Sequence, residues 1–67
     1  MRNMSEQVSR VIHLYGFDVI GDGPVVCVSS PNGKVIFRRV NNTHYMIYSA
    51  GRPKVSATKL IEMLEEL

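Results

Sequence analysis

An α+β two-layer domain with the order α-β-β-β(-β)-α is the fold class this chain predicts, and three observations carry the prediction. Two segments at opposite ends of the chain repeat apolar residues with a helical period. Between them lie β-branched and aromatic runs separated by Gly, Pro and Asn clusters, the pattern of antiparallel strands joined by tight turns. The chain has 67 residues, which allows a single domain, residues 1–67, and one thin core, because a chain this short buries only about 60% of its unfolded surface.

The first helix is expected over about residues 4–15. Asn3 stands where a cap is wanted, with Glu6 placed to close a capping box and to meet the helix dipole. Val8, Val11, Ile12 and Tyr15 form its apolar stripe, and Arg10 and His13 fall outside it. Gly16 supplies the left-handed residue that ends many helices, and Phe17 is placed to fold back on the last turn.

Strands follow. Residues 17–20 read as a short one, broken by Gly21-Asp22-Gly23-Pro24. Val25-Val26-Cys27-Val28 reads as a central strand with a buried, inert Cys27. Pro31-Asn32-Gly33 predicts a hairpin turn into residues 34–40. The polar turn Asn41-Asn42-Thr43 leads to a last strand over residues 44–49, closed by Gly51 and Pro53. Ser56 is the expected cap of the second helix, with Val55 as a hydrophobic staple and Leu60, Ile61, Leu64 and Leu67 as its stripe. The two helices are expected to cover one sheet face and leave the other open.

Alternation assigns part of that open face. Val35 and Phe37 are expected inward, with Arg39 at the end of their face, and Arg38 belongs to the other side. Either Tyr45 or Tyr48 must then accompany arginine on the open face, and the pattern leaves the choice between them undecided.

Several function classes are disfavoured. Cys27 is the only cysteine, so disulfides are excluded, and no Cys/His cluster at zinc-finger spacing exists. No metal or cofactor is therefore expected. A lone cysteine and the lack of an export signal or a membrane-length apolar run lead us to expect a soluble cytoplasmic protein without a membrane partner. His13 and His44 have no serine or cysteine nucleophile at a spacing that recruits them. Asp22 is better explained by its turn than by a metal or acid–base pair with Asp18. The Gly21–Pro24 cluster lacks the lysine and following helix of a phosphate loop. We expect no catalytic residue.

The net charge of +2 conceals an asymmetry: Lys34, Arg38, Arg39, Arg52, Lys54 and Lys59 occupy a stretch with no acidic residue, whereas Glu62, Glu65 and Glu66 crowd the C-terminus. A cationic stretch with tyrosines suits a nucleic-acid partner, so these six residues with Tyr45 and Tyr48 are the candidate binding set. The bland alternative is a solvated face that keeps a small domain soluble. The Gly51–Pro53 loop is expected to bring Arg52 and Lys54 to a helix start as a phosphate site. The competing function is a protein-binding regulator or inhibitor docking through its sheet or acidic helix, since arginine and tyrosine also favour protein interfaces. A small ribonuclease using His44 is the third reading. The thin core and a last strand at a sheet edge further suggest a homodimer.

The element order resembles the double-stranded-RNA-binding-domain topology, and more particularly the HicA-type mRNA interferase toxins. The residues that carry the likeness are Val11-Ile12 and Gly16-Phe17 ending a first helix, Pro31-Asn32-Gly33-Lys34 in the hairpin turn, and Ser56-Ala57-Thr58-Lys59-Leu60 opening the last helix. That family carries its catalytic histidine in the strand before the turn, where this chain has Val25-Val26-Cys27-Val28, and His44 is not in the matching position. The segment from Tyr45 to Ser49 also exceeds the family pattern. The resemblance therefore implies an RNA-binding shape without the ribonuclease activity.

Overall fold

Alternating burial along the strands and a 3.6-residue stripe on each helix build one shared core. The computed structural model describes residues 4–21 and 23–67. The elements are α1 (Glu6–Tyr15), β1 (Asp18–Ile20), β2 (Val25–Ser30), β3 (Gly33–Arg39), β4 (His44–Ile47), a 3₁₀ turn (Tyr48–Ala50), β5 (Lys54–Ser56) and α2 (Ala57–Glu65). The five strands form an open sheet in chain order, each antiparallel to its neighbour. The α+β class and the helix at each end are as the sequence predicts. The sheet has one strand more than expected.

Capping explains the helix boundaries. Ser5 caps α1, its hydroxyl accepting from the Val8 N–H at 3.3 Å. The capping role expected of Asn3 falls to Ser5, and Asn3 itself lies outside the described residues. Gly16 adopts φ 71°, and the Gly16 and Phe17 N–H groups donate to His13 and Ile12 carbonyls at 3.2 Å each. This paired bonding is a Schellman motif, and a side chain at Gly16 would pay the left-handed penalty. Ser56 caps α2 by accepting from the Lys59 N–H, as expected.

The core sits between the helices and one sheet face. Val8 and Ile12 of α1 and Leu60 and Leu64 of α2 meet Val26, Val28, Val35, Phe37, Tyr45 and Ile47 of the sheet, with Met4 plugging the end beside α1. Each such side chain contributes about 1.5–3 kcal/mol by leaving water. Phe37 and Tyr45 pack edge-to-face, 5.6 Å between ring centres. Among the described residues no helix is long and apolar enough to cross a membrane.

Three strand expectations need correction. The strand expected over residues 44–49 stops at Ile47, because the 3₁₀ turn bends Tyr48 and Ser49 away; Ser49 Oγ then accepts from the Ile36 N–H. This strand is also interior, paired on its far side with β5, so β1 and β5 are the sheet edges. The β5 residues were expected to be loop, since Pro53 and the cap Ser56 leave too few residues for a periodic signal. Cys27 is half-buried on the open face, because the inward positions of β2 belong to Val26 and Val28.

Candidate functional site

Strand register determines which side chains share the open face. Val26, Val28, Val35, Phe37, Tyr45 and Ile47 point inward, so their neighbours in sequence point out. Cross-strand pairing then sets the outward residues in rows. One row runs Ile20–Cys27–Ile36, and the next runs Val25–Arg38–Met46–Lys54. Lys34 lies two residues before Ile36 on β3, and His44 two residues before Met46 on β4.

The centre of interest is a three-residue cluster. The Arg38 Nε donates to the Tyr48 hydroxyl at 3.0 Å, leaving its two terminal amines without a protein partner among the described residues. From the other side, the Arg52 guanidinium lies over the Tyr48 ring, 5.5 Å from its centre. The loop geometry that allows this is unusual: Gly51 and Arg52 both adopt left-handed backbone, φ 80° and 64°. Glycine does so freely, but arginine bears a cost of about 1–2 kcal/mol. Two backbone bonds hold the loop in place, Arg52 N–H to the Ile47 carbonyl at 2.9 Å and Ile47 N–H to the Pro53 carbonyl at 3.0 Å.

Charge on this face is mainly positive, the exception being the exposed Asp18, which register sets in the row Asp18–Ser29–Lys34. Among the described residues, Lys34, Arg38, Arg52 and Lys54 have no carboxylate within salt-bridge distance. Ion pairs are found instead on the helices, Glu6–Arg10 at 3.4 Å and Lys59–Glu62 at 3.9 Å.

The residues singled out in the sequence do not all converge. Arg38, Tyr48, Arg52 and Lys54 come together, with Lys34 further along β3. Lys59 lies on α2, in the layer that covers the opposite face, and is paired with Glu62. Arg39 points to the helix side of the sheet, where it donates to the Asn41 carbonyl and to Asn42 Oδ1 at 3.2 Å each. Tyr45 is fully buried and its hydroxyl accepts the Ser5 N–H, so its ring is not available for stacking. Nor does the helix start form the expected phosphate site with Arg52 and Lys54. Strand β5 intervenes, the Ala57 N–H donates to the Thr43 carbonyl at 2.9 Å, and the Lys59 N–H is taken by Ser56.

His44, at the start of β4 opposite Ser56, is held by the turn that precedes it. Asn41 Oδ1 accepts from Thr43 N–H, Thr43 O–H and His44 N–H. The Thr43 hydroxyl also lies in hydrogen-bond contact with His44 Nδ1, 2.7 Å away. Elsewhere, Ser9, His13 and Asp18 line a groove beside α1, but no hydrogen bond joins them. No group of three His, Cys, Asp or Glu residues suited to a metal occurs among the described residues.

The apolar part of the open face was missed. Ile20 is 62% exposed and Val25 40% exposed, and Cys27, Ile36 and Met46 are half-buried beside them. A signal for it exists, since β2 carries Val25 and Cys27 and β3 carries Ile36 on the alternation opposite to the buried one, which one-sided burial does not require. No protein-family model, curated protein or solved structure matches the chain.

Proposed function

We propose that the chain is a non-catalytic binding module for nucleic acid, acting through the open face of its sheet. The observation that carries this reading is the Arg38–Tyr48–Arg52 cluster, two guanidiniums held on one phenol with no counter-carboxylate. Arg38 is oriented through Nε, which leaves its planar fork of amines for a phosphate. Lys34 and Lys54 extend the cationic surface, and Tyr48 offers an aromatic contact. The resemblance to the HicA-type interferases points to the same partner class, and the missing strand histidine points away from cleavage. Arg39, Lys59 and Tyr45 take no part in this interface.

Fluorescence anisotropy with labelled RNA and DNA, at low and moderate salt, tests the reading. Binding should weaken steeply with salt, and an Arg38→Ala/Arg52→Ala variant should lose affinity and flatten the log–log salt slope by about 0.7–0.9 per lost phosphate contact. No binding at any salt, or an unaffected variant, overturns it.

The second reading, a protein-binding regulator, is favoured by the exposed apolar row next to arginine and tyrosine, a composition typical of protein interfaces. Such a complex would be anchored by apolar and aromatic burial and would tolerate salt far better.

A further inference from the structure

Resting on the nucleic-acid reading above, we propose that the open face takes single strands in preference to duplexes. Unpaired bases would lie over the Ile20–Cys27–Ile36 row, with their phosphates at the cationic positions on either side. The strip and the cations are interleaved on one strand: Lys34, Ile36 and Arg38 alternate along the outward side of β3. At about 3.3 Å per residue, Lys34 and Arg38 are separated by roughly 13 Å. A backbone reaching both must pass over Ile36, and the nucleotides between them are brought to the apolar row.

The chemistry of that row decides between strand types. A duplex would set charged phosphates and sugars against Ile20, Cys27 and Ile36, losing hydration without a partner. A single strand can turn base faces onto the row while its phosphates stay with Lys34, Arg38, Arg52 and Lys54. The cations, none within salt-bridge distance of a carboxylate among the described residues, supply charge complementarity for a polyanion, and the exposed isoleucine in their midst supplies a surface that only an unpaired base covers well.

The probe pair is a fluorescein-labelled oligouridylate and a fully paired RNA hairpin with the same number of nucleotides. The single strand should bind at least about tenfold more tightly. Ile20→Ser, at a position exposed enough to spare the fold, should reduce that preference, and Ile20→Ser/Ile36→Ser should abolish it while leaving hairpin binding unchanged. Far-ultraviolet circular dichroism checks that each variant is folded, and if the double variant unfolds, Ile20→Ser alone decides. Equal affinity for strand and hairpin, or a preference unmoved by Ile20→Ser, overturns this inference and leaves the nucleic-acid reading standing. Absence of binding to both probes removes both.

Discussion

The two faces of one five-stranded sheet have been built to different rules. On the helix side, Val26, Val28, Val35, Phe37, Tyr45 and Ile47 are buried, and the Tyr45 hydroxyl accepts the Ser5 N–H. On the open side, Arg38, Tyr48 and Arg52 are held together by one hydrogen bond and one cation–π contact, beside isoleucine and valine left partly in water. The first face keeps its shape because its side chains are closely packed apolar groups and the one polar tip it buries from the sheet, the Tyr45 hydroxyl, is hydrogen-bonded. The second has spare donors, an exposed apolar row and a strained backbone residue, all of which a partner can use. Adjacent residues of one strand therefore have different energetic weights, and substitution should reveal it.

The largest contrast is between Phe37 and Ile20. Phe37→Ala should cost about 3–5 kcal/mol through lost transfer energy and a residual cavity. That approaches the whole stability of a domain this size, about 3–10 kcal/mol. Ile20→Ala should shift stability by no more than about 0.5 kcal/mol. Urea titrations with comparable slopes measure both, and similar losses in the two variants would erase the distinction between the faces.

Next comes the buried hydroxyl. Tyr45→Phe should cost about 1 kcal/mol, because the Ser5 N–H at the start of α1 loses its acceptor. Faster amide exchange at Ser5 and the first turn of α1 would locate the effect, and an unchanged urea midpoint would argue against it.

Arg52 sharpens the comparison because stability and binding should move in opposite directions. Replacing it by glycine removes a left-handed penalty of about 1–2 kcal/mol and adds an unfolded-state entropy cost of about 0.4–1 kcal/mol. Arg52→Gly should therefore gain roughly 0.5 kcal/mol while weakening oligonucleotide binding. Arg52→Ala lacks the relief and should show only the loss of binding. Equal stability of the two variants would mean that the strain is not borne at this residue.

The smallest effect belongs to the helix layer. The Tyr15 hydroxyl donates to Glu65 Oε2 at 3.2 Å, linking the C-terminal ends of α1 and α2. The charge of the Glu65 carboxylate, and then the hydrogen bond to it, hold the Tyr15 pKa above its ordinary 10.0. A raised folded-state pKa means that the contact contributes fully below the ordinary value and is lost as pH rises through the folded-state value. Tyr15 should thus titrate above 10.0 in an NMR titration, and Glu65→Gln should bring it back toward that value.

Legibility followed the range of each signal. The helices, the Gly16 stop, the Ser56 cap and the Pro31-Asn32 turn depend on residues within one or two turns of each other, so they could be read locally. The inward direction of Val35 and Phe37, and with it the outward direction of Arg38, followed from alternation. The choice between Tyr45 and Tyr48 could not be made that way. It depends on pairing, Tyr45 standing opposite Arg39 on one side and Val55 on the other. Strand β5 was hidden for a related reason: three residues after a proline have no period of their own, and they become a strand only because β4 offers them an edge.

By itself, then, the sequence determined the α+β class, the helix limits near Gly16 and Ser56, and a cationic stretch free of acids, because these depend on composition and short-range periodicity. Tertiary structure alone decided which cations meet. Strand register set Lys54 in the row of Arg38, and the left-handed pair at Gly51 and Arg52 carried a guanidinium back onto Tyr48. Burial withdrew Tyr45 from the surface, and chain direction sent Arg39 and Lys59 to other sides of the molecule. Register and burial are properties of packed strands, summed over partners distant in the chain, and no local pattern encodes them.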